Sequence, residues 1–293
     1  MGTLLWPTDK ILLFIFIVTA MMEITLQATP REIVRELRNQ SLVIRALVVN
    51  LVLVPILGIC LVKLLPMAPD AKDGILLLAL APGEVLAINF TKKLCARIEL
   101  AAAMLFLLTL VGAVLTPILA KWLLESDLPV EMHYGRMLKI IMVYMVLPLI
   151  AGMALERSVP RIAARLQKPI GIVSGLAFIA FTIATASQKS SAVKTIAGGG
   201  TLLGLVLLIA GGMMLGWFLG GSDPETRRVM TVNSGLKSLA LSLAIATRSF
   251  PGTNVDLTIL AYAALGIPIA FLFTFYQQRK IKRLPQQRVA SAA

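Results

Sequence analysis

Met230-Thr231-Val232-Asn233-Ser234-Gly235-Leu236-Lys237-Ser238-Leu239 sets a lysine, an asparagine and a glycine inside an otherwise apolar run. A helix does not pass cleanly through such a stretch. Gly235 loosens the backbone, and Asn233, Ser234 and Ser238 offer side-chain partners to the groups that a break sets free. Irregular chain at membrane depth is tolerable on those terms where it lines a cavity. About ten largely apolar residues separate Lys237 from Arg248, too far from either edge for easy snorkelling. An ammonium at that depth costs at least about 2.5 to 3.5 kcal/mol, so Lys237 is expected to face protein or water, to have a partner, and to belong to a site.

The composition places that stretch in a bilayer. Of 293 residues 58% are apolar and 15% charged, with mean hydropathy +0.86, whereas soluble domains carry about 25% charge. The chain reads as an all-α polytopic membrane protein. Lys and Arg outnumber Asp and Glu by 28 to 15, but the basic residues are scattered between apolar segments and form no face for nucleic acid. Cys60 and Cys95 give neither a disulfide framework nor metal spacing and are expected as free, packed thiols. Ile11 to Leu26 lacks a basic leader and a cleavage site and contains Glu23, so it reads as a span, not a removable signal.

Nine segments approach the roughly 20 apolar residues that a spanning helix needs. They are expected at 11–28, 42–64, 74–91, 98–123, 138–155, 169–187, 200–220, 229–248 and 258–276. With the C-terminus cytoplasmic, seventeen of the 28 basic residues fall in inside connections, nine in outside ones, and Arg45 and Lys237 within spans. That bias favours an outside N-terminus and a cytoplasmic C-terminus. Arg45, three residues into its span, is expected to snorkel to the cytoplasmic edge. Pro30 to Gln40 is amphipathic at helical spacing and suits the membrane surface. Residues 277–293 read as a basic, frayed cytoplasmic tail. His133, beside Glu131 in an outside loop, reads as a surface residue.

The third segment has its own interruption, Ala81-Pro82-Gly83-Glu84, followed by Asn89 and Thr91. Pro82 removes a backbone donor, so a break is expected there as at Gly235. Pro117 lies 35 residues after Pro82, and Pro268 lies 33 after Gly235; Pro55 and Gly211-Gly212 mark irregular points in the preceding segments. Spans two to four therefore correspond to spans seven to nine. An offset of five, being odd, makes the copies inverted, and paired interruptions in inverted halves point to a transporter whose site lies where the breaks cross.

These residues resemble the bile acid:sodium symporter family. The likeness is carried by Met21-Met22-Glu23-Ile24-Thr25-Leu26, Asn50-Leu51-Val52-Leu53-Val54-Pro55, Ala81-Pro82-Gly83, Leu147-Pro148-Leu149-Ile150-Ala151-Gly152 and Arg227 to Ser242. The resemblance implies a core of two inverted three-helix units, here about 42–123 and 200–276, and a panel of about 11–28 and 138–187. Ten-span members have one further N-terminal helix. In sodium-coupled members the second crossover carries a glutamate two residues before its glycine and a glutamine two after; here those positions hold Asn233 and Lys237. The first crossover reads Pro82-Gly83-Glu84 and Ile88-Asn89 where the family has Pro-Gly-Gly and Ser-Asn, and Ala103 and Leu107 stand where hydroxyl ligands are expected. Lysine supplies only donors and a competing charge, so the usual sodium sites are not expected to work.

The expectation is a secondary transporter of small organic anions in a bacterial inner membrane that does not use sodium through those sites, with proton coupling, exchange or facilitated passage instead. Lys237 is its centre, Glu84 the counter-charge, and Asn50, Asn89, Asn233, Ser234, Ser238 and Thr91 the polar neighbours; Pro82, Gly83 and Gly235 shape the crossover backbone. Half-helix N-termini beside the breaks are expected to favour an anionic group. No cofactor or metal is called for. A transport-inactive sensor or partner-binding subunit of the same fold is the alternative, against which stands the lack of an attached soluble signalling domain in the sequence. An intramembrane enzyme is disfavoured because no span carries paired acids, a histidine cluster or a nucleophile with its base.

Overall fold

The structure, a computed structural model, describes residues 6–124, 135, 139, 141–190, 192 and 198–290, nearly all of them helical. His133 and Glu131 lie outside the described residues. In chain order the helices are α1 (Trp6–Thr25), α2 (Pro30–Leu37), α3 (Gln40–Leu64), α4 (Pro69–Leu80), α5 (Leu86–Lys93), α6 (Ile98–Leu123), α7 (Leu147–Ser158), α8 (Pro160–Gln188), α9 (Thr201–Leu219), α10 (Pro224–Gly235), α11 (Leu239–Ser249) and α12 (Val255–Ala290). Five are long and apolar enough to cross a membrane by themselves: α3, α6, α8, α9 and the Val255–Ile281 part of α12. A sixth is obtained if α1 from Lys10 and α2, which meet at a 74° bend, are taken as one span. The chain is an integral membrane protein.

The two interrupted segments are not continuous helices, which takes two from the expected nine; the first expected segment counts only within the bent pair, and the fifth, 138–155, lies partly outside the described residues. The two interrupted segments divide into α4 and α5, of 12 and 8 residues, and α10 and α11, of 12 and 11. At 1.5 Å per residue none of the four reaches about 20 Å, well short of a hydrocarbon core of about 30 Å.

Local sequence sets the ends. Thr29 caps α2 in a reciprocal box with Glu32: Glu32 N donates to Thr29 Oγ1 at 3.3 Å, and Thr29 N donates to Glu32 Oε2 at 2.8 Å. Thr29 Oγ1 also donates to Glu32 Oε2 at 2.9 Å. The helix is less superficial than its pattern suggests, because Ile33 and Glu36 are buried and Glu36 pairs with Arg97 ahead of α6. In α3, Pro55 has no N–H to give the carbonyl four residues back, and the helix widens into a π turn over Val49–Leu53. Arg45 Nη1 donates to Leu219 O at the C-terminus of α9 at 3.1 Å.

Several boundaries differ from the sequence expectation. Gly211-Gly212 does not interrupt α9; the pair gives up side-chain volume so that neighbours can approach. A Cβ on Gly211 would lie 2.5 Å from Leu57 Cδ2, and one on Gly212 would lie 2.6 Å from Ser234 O. Residues 277–290 continue α12 instead of fraying, since Gln277 to Leu284 contain good helix formers and no glycine. Residues 160–168 likewise start α8, with Pro160 in its first turn. Cys60 and Cys95 are free, as expected, but exposed and not packed.

In packing, α1 lies against α7 and α8, whereas α9 lies against α10, α3 and α12, and α4 against α3 and α12. At the end of α8, Lys189 Nζ meets Asp256 at 2.7 Å and donates to Thr253 O at 2.6 Å, tying α8 to the start of α12.

Candidate functional site

The two breaks meet. Pro82 and Lys237 pair as an antiparallel bridge, and Ser238 N donates to Ala81 O at 2.9 Å. Several of the backbone groups that the breaks release here find partners from other segments, as membrane burial demands. Tyr262 of α12 donates its hydroxyl to Gly235 O at 2.5 Å and accepts from Lys237 N at 3.0 Å. Thr116 Oγ1 donates to Leu80 O at 2.6 Å. Gly83 has φ +84°, and a Cβ there would also lie 2.9 Å from Leu105 Cδ1, so glycine is required on both counts. Gly112 lets Pro82 sit against α6, where a Cβ would be 2.9 Å from the proline ring.

Lys237 has no exposed surface. Its Nζ donates to Asn50 Oδ1 at 3.0 Å, and the Asn50 amide nitrogen donates to Ser234 Oγ at 3.1 Å and to Ala46 O at 3.0 Å, beside the wide turn of α3. Asn50, Ser234 and Lys237 therefore form one sealed network. Glu84 is not its direct partner: no ion pair joins it to Lys237 among the described residues. Its Oε2 accepts from Leu239 N, the first residue of α11, at 2.8 Å, and the N–H groups of Leu86 and Val85 at the start of α5 also bond to it. One carboxylate thus serves the N-termini of both second half-helices, the place where the sequence reading expects an anionic ligand. The reason is proximity: the bridge at Pro82 brings Leu239 to the residue that opens α5.

The remaining expected site residues divide. Ser238 caps α11, accepting from Leu241 N at 3.3 Å. Thr91 is buried and donates to Ala87 O of its own helix at 2.8 Å. Asn233 is buried, and neither of its amide atoms has a partner among the described residues. Asn89 is exposed and shares a cavity with Glu84.

That cavity, of about 400 Å³, lies between the Glu84 break and the helices α1 and α8. It holds residues that the sequence reading did not assign: Glu23 and Gln27 from the α1 side, Lys92 at the end of α5, and Gln167, Lys168 and Ser174 from α8. Gln27 Oε1 accepts from Lys92 Nζ at 2.6 Å and from Gln167 Nε2 at 2.5 Å. Lys237 is not in the cavity wall. Glu23 was visible as an acid inside an apolar segment, the same signal that marked Lys237; that it lines one cavity with Glu84 was not, because the two acids come from different segments.

The profile of the Sodium Bile acid symporter family matches residues 11–198, and the chain belongs to that family. The chain is 26% identical over 204 residues to "Probable sodium/metabolite cotransporter BASS6, chloroplastic" of Arabidopsis thaliana, a match covering 67% of this chain and 49% of the relative. It is 24% identical over 281 residues to "Probable sodium/metabolite cotransporter BASS5, chloroplastic" of the same plant, covering 89% and 67%. With "Uncharacterized sodium-dependent transporter YocS" of Bacillus subtilis (strain 168) it shares 24% over 253 residues, covering 84% and 76%. The chain spans about half the length of the first of these relatives.

Proposed function

We propose that the protein is a secondary transporter of a small organic acid, working by alternating access without sodium bound at the family's usual sites. The observation that carries this reading is the Lys237 ammonium, held on Asn50 at 3.0 Å behind two bridged helix breaks. It puts a tethered cation where the family likeness expects cation chemistry, next to oxygens that a sodium ion would need. The broken pairs α4–α5 and α10–α11 support a nine-span arrangement of two inverted repeats, with a core of about 42–123 and 200–276 moving against a panel of about 11–28 and 138–187. The cavity beside Glu84 is then the substrate path. The charge bias supports an outside N-terminus and a cytoplasmic C-terminus, and the kinship to a Bacillus transporter fits a bacterial plasma membrane. A proton, an exchanged anion or neither accompanies the substrate.

The test is flux of an organic acid panel in proteoliposomes at fixed membrane potential. Uptake should be unchanged when sodium is replaced by a larger inert cation, and strict sodium dependence would overturn the reading. Binding of an acid without flux would favour the second reading, a sensor of the same fold.

A further inference from the structure

The cavity beside Glu84 is polarised in depth. Glu23 and Glu84 lie at its base, 9% and 6% exposed, while Lys92 and Lys168 stand exposed at its rim. Glu84 is already bonded by Leu239, Leu86 and Val85 N–H groups. The positive ends of the two half-helices thus face a carboxylate belonging to the protein, and a substrate carboxylate approaching them meets like charge. Glu23 differs, because no described residue donates a hydrogen bond to it. Lys92, the lysine whose charge acts on it, is bonded to Gln27. Room beside Glu23 is kept by Gly171, where a Cβ would lie 3.2 Å from Oε1. A carboxylate nine-tenths buried, open to a cavity and without a donor, calls for a positively charged group to complete it.

Resting on the transport reading above, we propose that the cavity takes a zwitterion of amino-acid type, with its ammonium between Glu23 and Glu84 and its carboxylate toward Lys92 and Lys168. The ammonium brings three donors to two carboxylates and the side-chain oxygen of Asn89. Two acids and two lysines cancel, so the substrate is matched by charge of opposite sign at each end. A proton shared by the two acids is the competing occupant, and it predicts no preference for an amine.

The test uses the purified full-length protein and equilibrium binding of the twenty proteinogenic amino acids, each beside its deaminated acid and its decarboxylated amine. At least one amino acid should bind about tenfold or more tightly than both of its partners. Glu23→Gln should reduce that preference to near unity, and Glu23→Asp, which keeps the charge, should retain part of it and serves if the glutamine variant does not fold. Equal or tighter binding of the deaminated acids, no amino-acid binding, or an unchanged preference in the Glu23 variants would overturn the proposal. Tighter binding of plain acids would leave carriage of an organic acid intact. An amino acid bound but not moved into proteoliposomes would instead sustain this proposal and sink the transport reading.

Discussion

Lys237 and Glu84 illustrate how a charge is kept at membrane depth without a direct ion pair: one is held by an amide oxygen, the other by backbone N–H groups. Lys237→Ala strips Asn50 Oδ1 of its donor, and an unsatisfied buried acceptor costs about 1 to 3 kcal/mol. Thermal unfolding should show that loss, and flux in proteoliposomes should disappear. Lys237→Gln with Asn233→Glu returns the second crossover to the family's pattern and should introduce sodium dependence into uptake that lacked it. Asp223, in the connection before α10, offers a pH test. Its carboxylate accepts from the Thr226 hydroxyl at 2.6 Å and from Thr226 N at 2.9 Å, which hold its carboxyl below the usual range. A depressed folded-state value means that the stabilisation is fully present above the ordinary aspartate value of about 3.9 and is lost as pH falls through the lower folded-state value. Asp223→Asn should therefore be less stable than the parent at pH 7 and draw level with it in strong acid, read as unfolding midpoints. Lys237 was legible in the sequence as a buried charge needing a partner. Asn50 was legible as one of its polar neighbours, but the sequence reading gives the role of direct partner to Glu84, and only the packing of α3 against the second break reassigns it. That Tyr262 would bridge Gly235 and Lys237 was not legible, because it comes from a distant helix and carries no local signal.

The breaks themselves were legible because proline, glycine and a run of small polar residues have local consequences for the backbone. The glycine pair of α9 was misread for the converse reason: a glycine inside a helix signals either a break or a close neighbour, and only tertiary packing decides. Gly216 belongs to the same contact surface, with a Cβ there lying 2.4 Å from Met230 O. Since that neighbour is backbone of α10 and cannot rotate away, Gly216→Ala should force the two helices apart and cost about 1 to 3 kcal/mol. Gly175, beside which a Cβ meets nothing within 4 Å, is the control: Gly175→Ala should leave the unfolding midpoint unchanged or raise it slightly, as expected for glycine in a helix. The same contrast explains the continuation of α12, where good helix formers outweigh the solvating effect of charge.

At the scale of the molecule, reporters fused after Arg165 and Arg283 should read cytoplasmic and one after Ser190 external; a cytoplasmic signal at Ser190 would sink the nine-span arrangement. A short bifunctional reagent should bridge cysteines placed at Glu84 and Lys237, as the pairing of Pro82 with Lys237 requires. Lys168 at the cavity rim and Lys189 in its bond to Asp256 stand 21 residues apart along the chain, about 31 Å of helical rise and so about one hydrocarbon thickness. The molecule is consequently fastened at one face by an ion pair and open at the other. If it alternates, the two half-cycles are unequal in kind: turning the empty carrier toward the Lys189 face requires parting opposite charges, whereas the return reunites them. Ionic strength on that face alone should then speed the turn toward it through screening, so that a salt gradient of an untransported electrolyte acts as a one-sided throttle on turnover.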